Sequence, residues 1–352
     1  VDEVRYLLEE SSAEIKLDSP AIWASANAGG SGFFRARYSP EMLKALSSSM
    51  FENLTPIERY GLVDDTWSSV MAGRTSATDF LDFARSFQYE TDLDVWTVLS
   101  GCLASLAKLV DGEAERQYKA AVCDLAQPAL DRLGWEPSDG DSSRDLELRG
   151  LFIRLLANIG DDELAVKNAF DLHDSYLNDA GSVEPNVAAA AAGVVALKGD
   201  SAQYEVFLKK YQNPSTPQEE RRYQSALSAF QGQNEMKRTL AMALDGTVRT
   251  QDAPYLLAVC VRNKEQGFLA WDFIKDNWDK INEDFPSNSI VRMLSGVTSL
   301  SGPGQADDVI SFFDDHEVPQ GHLTLQQTLE KLRVNVALRD RESGPFASSL
   351  TS

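Results

Sequence analysis

From Ser39 onward the chain keeps one apolar rhythm: hydrophobic residues recur three and four positions apart, in stretches divided by short polar or glycine-bearing breaks. That spacing is the period of an amphipathic helix. Two stretches carry complete start signals, Thr55-Pro56-Ile57-Glu58 and Thr216-Pro217-Gln218-Glu219. In each, the Thr oxygen and the Glu carboxylate are spaced to satisfy backbone N–H groups that a first helical turn leaves unpaired, and the proline has no N–H to satisfy. Ser39-Pro40 is a shorter version of the same signal. Helices are therefore predicted from about residues 40, 56 and 217. Others are predicted over 76–87, 92–110, 112–133, 144–159, 161–178, 184–197, 200–211, 233–245, 252–263, 265–283, 288–299, 304–316 and 323–341. Gly73, Gly134, Gly160 and Gly199 fall where such helices should end. Short connections favour antiparallel neighbours, and so many helices in series point to a mainly α fold, an α-solenoid of stacked helix pairs without a strict sequence repeat. The stretch Gly134 to Ser143, "GWEPSDGDSS", is the best internal loop or hinge by composition.

Residues 1–38 read differently. Val4 to Leu8, Ala13 to Leu17, Ile22 to Ala26 and Phe33 to Tyr38 resemble four short strands, with turn signals at Glu9 to Ser12, Asp18-Ser19-Pro20 and Gly29 to Gly32. Strands so closely spaced must pair antiparallel, and one layer needs a second to bury its apolar face. The expectation is the end of a β-sandwich, residues 1–38, followed by a helical domain, residues 39–352. The glycine-rich "NAGGSGFFRARY", Asn27 to Tyr38, is not a phosphate loop on this reading. A nucleotide loop runs from a strand into a helix, whereas after Gly32 the chain alternates apolar residues with Arg35 and Arg37, so the glycines serve a hairpin turn.

At 352 residues the chain is long enough for about two domains. Its 54 acidic residues outnumber 33 basic ones, for a formal charge of −21. Nucleic-acid affinity rests on neutralising phosphates, so no nucleic-acid partner is expected. Val187 to Leu197, the longest wholly apolar or small stretch, is well short of the ~20 residues that cross a bilayer, so no membrane span is expected and a buried helix is. Cys102, Cys123 and Cys260 lie in apolar stretches and form no C-x-x-C pair. They read as reduced packing residues, which favours a cytoplasmic location. No charged-then-apolar leader opens the sequence at Val1.

The residues offer little hydrolytic chemistry. There are three histidines, His173, His316 and His322. His316-Glu317-Val318-Pro319-Gln320 begins like the zinc motif H-E-x-x-H, but Gln320 occupies the last ligand position and Pro319 breaks the helix that would align two ligands. Gly29-Gly30-Ser31-Gly32-Phe33 has Phe where a nucleophile elbow needs Gly. His173 reads as a partly exposed helix residue, and Asp64-Asp65, adjacent on a helix, as a solvated face or structural ion pair rather than a working carboxylate pair. Trp67, Phe80, Phe83, Phe87, Trp96, Trp271, Phe273 and Trp278 read as core.

Several stretches resemble one family. "WASANAGGSGFFRARYSPEMLKAL" (Trp23 to Leu46) is similar to the pattern W-x-x-x-N-x-x-x-x-G-F/Y-x-R-x-x-Y that closes the small β-sandwich of the aminopeptidase N family of zinc metallopeptidases, with Asn27, Gly32, Phe33, Arg35 and Tyr38 carrying the match. "LTPIERYGLVDDTWSSVMAGRTSATDFLDFARSFQYETDLDVW", "VRTQD", "AWDFIKDNWDKINEDFP" and "TLEKLRVNVAL" follow in the family's order. The resemblance implies the end of the β-sandwich plus a HEAT-like, superhelical bowl that covers the catalytic domain and controls peptide access. It also implies that no catalytic residue and no metal ligand lies in this chain, zinc being expected in a catalytic domain outside it. The chain alone is then expected to be inactive, its partners being the enzyme's own catalytic domain and peptide substrates. Arg292, in "SNSIVRMLSG", falls where some relatives hold a substrate's carboxyl end, which makes it a candidate substrate-binding residue. The alternative is a free-standing α-solenoid that binds a peptide or protein partner.

Overall fold

The computed structural model describes residues 3–17, 20–318 and 321–352. The expected turn at Asp18-Ser19 and the Pro319-Gln320 pair of the zinc-motif look-alike lie outside the described residues. Among the described residues seventeen α-helices follow one another: α1 Pro40–Asn53, α2 Pro56–Met71, α3 Ala77–Ala84, α4 Leu93–Leu106, α5 Gly112–Leu133, α6 Ser143–Arg154, α7 Glu163–Asn178 and α8 Pro185–Lys198, then α9 Ser201–Gln212, α10 Pro217–Leu227, α11 Gln233–Met242, α12 Ala253–Val261, α13 Gly267–Asp276, α14 Trp278–Asp284, α15 Ser287–Met293, α16 Gln305–Asp315 and α17 His322–Thr351. Their starts are the ones the caps announce. Glu58 accepts from both the backbone N–H and the hydroxyl of Thr55, at 2.7 Å each. Ser39, Ser76, Asp92, Asp162 and Thr216 accept from first-turn N–H groups, a contact worth about 1 kcal/mol at each helix.

The four expected strands are absent: among the described residues there is no strand, and the fold is all-helical. A strand exists only through hydrogen bonds to a neighbouring backbone. This segment finds no second layer, and Leu7, Ile22, Phe33 and Phe34 remain exposed. Its later part is fastened to helices instead. Asn27 folds the glycine tract on itself, accepting from Gly32 N–H at 2.8 Å and donating to Gly32 O at 3.1 Å, while Gly29 and Gly30 turn through φ of 70° and 65°. Gly29 N–H then reaches Glu58 on α2 at 2.8 Å. Arg35 pairs with Asp64 and Asp65, and Asp65 also accepts from Ala36 N–H at 3.1 Å. The adjacent aspartates are thus structural.

Two apolar cores form. The first gathers α1 to α8 around Phe80, Phe87, Trp96, Leu125 and Phe152; the second gathers α8 to α17 around Phe207, Phe230, Trp271, Ile281 and Met293. Helix α8 belongs to both, with Ala188, Ala190 and Ala191 in the first and Ala192, Val195 and Ala196 in the second, which is why it is apolar on all sides. On the other side α17 does the same, giving Leu325 and Leu332 to the second core and Leu338 and Phe346 to the first. Its far end returns to the earliest helices. Glu342 accepts from Ala77 N–H at the start of α3 (2.8 Å), Arg341 donates to Val70 O (2.7 Å), and the Ser349 and Thr78 hydroxyls meet at 2.8 Å.

The 134–142 connection is a loop, as expected, and one buried side chain fastens it. Arg149, wholly buried, donates to Leu133 O and Gly134 O at 2.9 Å and to Asp141 at 2.6 Å. Hydrogen bonds from the Ser138 backbone, with Arg149 behind them, hold the Asp141 carboxyl down at about 2.

Candidate functional site

The residues that could have done chemistry are dispersed. His173 is not partly exposed but 3% exposed on α7, in line with Ala165 and Ala169. Its Nε2 lies 3.1 Å from the Tyr223 hydroxyl and its ring lies 4.9 Å from that of Phe207. Burial, helped by Lys210 and Arg222 and opposed by Asp174, lowers its pKa to about 4, so the ring is neutral at pH 7. His316 stacks on Phe312 at 3.9 Å with Nδ1 2.8 Å from Phe312 O, and His322 faces Gln326 at the start of α17. No group of three or more His, Cys, Asp or Glu is gathered to hold a metal ion among the described residues. A zinc ion would need three or four ligands, so these residues do not fit one. Burial pushes the Cys102 and Cys260 thiols up to about 12 and Cys123 to about 11, which makes them poor nucleophiles.

The stretches that carry the family likeness mostly build structure. In "AWDFIKDNWDKINEDFP", Trp271 Nε1 donates to Asp308 at 2.7 Å, Lys275 meets the same carboxylate at 2.8 Å, and Trp271 and Trp278 pack edge-on against Phe312. In "LTPIERYG…", Arg59 and Glu90 form a buried pair, Nε–Oε2 2.6 Å and Nη2–Oε1 2.8 Å. A cleft of about 1020 Å³ between α1 and α3 is walled by Tyr38, Leu43, Phe51, Phe83 and Tyr89. Two of its serines, Ser47 and Ser48, donate to carbonyls of their own helix, and no histidine lines it.

What remains for binding is a set of cations. Arg292 is exposed on α15 and makes no ion pair among the described residues. Helix α15 packs on α12, which ends at Arg262, whose guanidinium donates to Ser295 Oγ at 2.8 Å. Lys108, on the 3₁₀ turn Ala107–Leu109, and Arg154, at the end of α6, are open to water yet crowded by surrounding protein. That crowding pushes both below their usual pKa, and the Arg262 charge adds to the effect at Lys108. Lys108 and Arg262 are thus near enough for one charge to act on the other. Lys108 and Arg262 have no sequence signature, because they are 154 positions apart and meet only through the fold.

The chain is 29% identical to Aminopeptidase M1 of Arabidopsis thaliana over 335 residues, 91% of this chain and 37% of that protein. It is 25% identical to human Endoplasmic reticulum aminopeptidase 2, over 94% of this chain and 36% of the relative. It is 29% identical to Alanine/arginine aminopeptidase of Saccharomyces cerevisiae, over 96% and 40%. The chain therefore spans about two fifths or less of the relatives it matches. Residues 23–334 match the family described as ERAP1-like C-terminal domain. The chain belongs to that family, the C-terminal helical domain of M1 aminopeptidases.

Proposed function

We propose that this chain is the C-terminal portion of a zinc aminopeptidase that removes N-terminal residues from peptides, and that its helices form a HEAT-like bowl over the catalytic part and govern which peptides reach it. The observation that carries the proposal is the match to aminopeptidases along nearly all of this chain but a minor share of theirs. The reaction itself, a zinc-activated water attacking the first peptide carbonyl, belongs to the rest of the enzyme. Residues 1–38 would complete a β-sandwich there. The bare apolar side chains of Leu7, Ile22 and Phe33 fit a layer that pairs with strands outside this chain. Three unpaired cysteines suit the cytoplasm.

Within the bowl, Arg292 would hold the carboxylate at a peptide's C-terminus. The test is Arg292→Ala in the complete enzyme. KM should rise about tenfold for peptides ending in a free carboxylate, the loss of one charge-assisted hydrogen bond, and stay unchanged for a blocked chromogenic amide. An equal change for both substrates rules the role out.

A further inference from the structure

The cleft between α1 and α3 carries mainly positive unpaired charge in a chain whose net charge is −21. Arg37 just before α1, Lys44 on α1 and Arg74 on the α2–α3 connection all line it. All three are exposed, and none makes an ion pair among the described residues. Two carboxylates share the lining, but Asp82 is taken up by Arg85 at 2.7 Å, which leaves Asp79 against three cations. Several of the hydroxyls are committed as well: Ser39 accepts from Met42 N–H, Ser47 and Ser48 donate to Leu43 O and Lys44 O, and Thr75 donates to Ser69 Oγ. The rest of the surface is largely aromatic. Phe83, 5% exposed, forms the floor and packs edge-on against Phe87 at 5.1 Å, whereas Phe51 and Tyr89 are 41% and 70% exposed. Phe51 is steadied from below, because the Arg59 guanidinium lies 5.4 Å from its ring centre and is itself held by Glu90, the neighbour of Tyr89. An apolar ring fixed in this way loses little freedom when a ligand covers it.

We infer that this cleft binds a short acidic peptide segment in which acidic and apolar side chains alternate. Successive side chains of an extended peptide point to opposite sides, so the apolar ones can cover Phe51, Phe83 and Tyr89 while the carboxylates between them turn to the rim, where Arg37, Lys44 and Arg74 stand unpaired. Charge complementarity selects an acidic occupant over a basic one. At about 1020 Å³ the cleft lies at the top of the range that encloses a drug-sized ligand, which suits a segment of a few residues. It is built on the first core, whereas Arg292 stands on α15 in the second, so the inference does not depend on the role given to Arg292.

The test is calorimetric titration of this chain with the peptide Glu-Phe-Glu-Leu-Glu, acetylated and amidated so that neither a terminal amine nor a terminal carboxylate contributes. It should bind at least tenfold more tightly than the matching Lys-Phe-Lys-Leu-Lys, and high salt should erase the difference. The overall charge of −21 favours the opposite order, so a basic peptide that binds as well or better overturns the proposal. Lys44→Ala and Arg74→Ala should each weaken the acidic peptide about fivefold, the most an exposed pair supports. Lys237→Ala, exposed on α11 in the second core, should leave it unchanged. Full binding by the two cleft variants, or an equal loss at Lys237, puts the peptide elsewhere and overturns the site. The peptide and salt comparisons use the unsubstituted chain, so a misfolded variant does not shelter the idea. The complete enzyme should bind the acidic peptide equally well. Binding by this chain but not by the complete enzyme would show the cleft filled by the enzyme's own upstream part, and a sedimenting dimer that the peptide splits would show it filled by a second copy; either result overturns the proposal. None of these measurements reads hydrolysis, so their failure leaves the aminopeptidase reading intact.

Discussion

Replacing Glu90 by Gln isolates a buried ion pair beside the first core. Glu90 is 1% exposed and Arg59 7%. The Glu90 carboxylate accepts from Arg59 Nε and Nη2, and its Oε1 also takes the Thr91 and Asp92 N–H groups at 2.8 and 2.9 Å. Arg59 completes its set by donating to Leu54 O at 2.7 Å. Glutamine can keep its oxygen on the two backbone amides only by turning its NH₂ toward Arg59 Nε, donor against donor. A guanidinium is then left buried without a counter-charge, a loss of about 3–5 kcal/mol. With an unfolding entropy of about 2.1 cal/mol/K per residue, a cooperative chain of 352 residues would melt roughly 4–7 °C lower. Urea denaturation with an unchanged m-value measures the free energy directly. Arg59→Met/Glu90→Gln should cost little more than Glu90→Gln alone, because the stranded charge is gone. A single-variant cost below about 1 kcal/mol would refute the reasoning, since that is the range of an exposed pair.

Two further predictions concern groups shifted by burial. His173 drops from 6.5 to about 4, so between those values the unfolded chain binds a proton that the folded chain does not. Stability should fall as pH drops through this window, by about 3 kcal/mol in all, and His173→Phe should remove that part of the slope in urea titrations at stepped pH; an unchanged slope contradicts it. Cys102 and Cys260, pushed up to about 12 by burial, should react with a thiol reagent at pH 8 roughly a thousandfold more slowly than a free thiol until urea unfolds the chain. Prompt labelling of Cys260 in the folded protein would be inconsistent with its burial.

Helix existence was legible because the signals for it are local. Thr55 and Glu58 form their capping box as spaced. Thr216 does only half: it accepts from Glu219 N–H at 3.1 Å, but the Glu219 carboxylate turns to Ser215 N–H at 2.6 Å and to Lys210. Helix ends were less legible, since tertiary packing decides them. The last helix was expected to stop at 341, before Gly344-Pro345, yet α17 runs to Thr351 because Phe346 is buried against Tyr118. That packing outweighs the hydrogen bond that Pro345 cannot donate. The predicted 265–283 helix divides at Asn277 into α13 and α14. Among the described residues of 1–38 no strand forms, because alternation reports a preference for a pleated surface and cannot supply the partner strand. His173 carried a usable clue, its four-residue spacing from Ala169 and Ala165, which outranks the neighbouring Asp174 as a guide to burial. The Arg59–Glu90 pair had none, since its members lie far apart in sequence. Arg292 was placed on the right helix, while its role rests on resemblance.

The return of α17 to the first helices also imposes an order on synthesis. Glu342 and Ala77 are 265 residues apart, and Phe346 fills a place in a core whose other members all precede residue 339 and mostly precede 195. At roughly 5–20 residues per second, a ribosome needs from about a quarter of a minute to a minute to make that interval. Throughout that time α2, α3 and α5 present to the cell an apolar socket with no occupant. A chain built this way cannot complete its first core until α17 has been made.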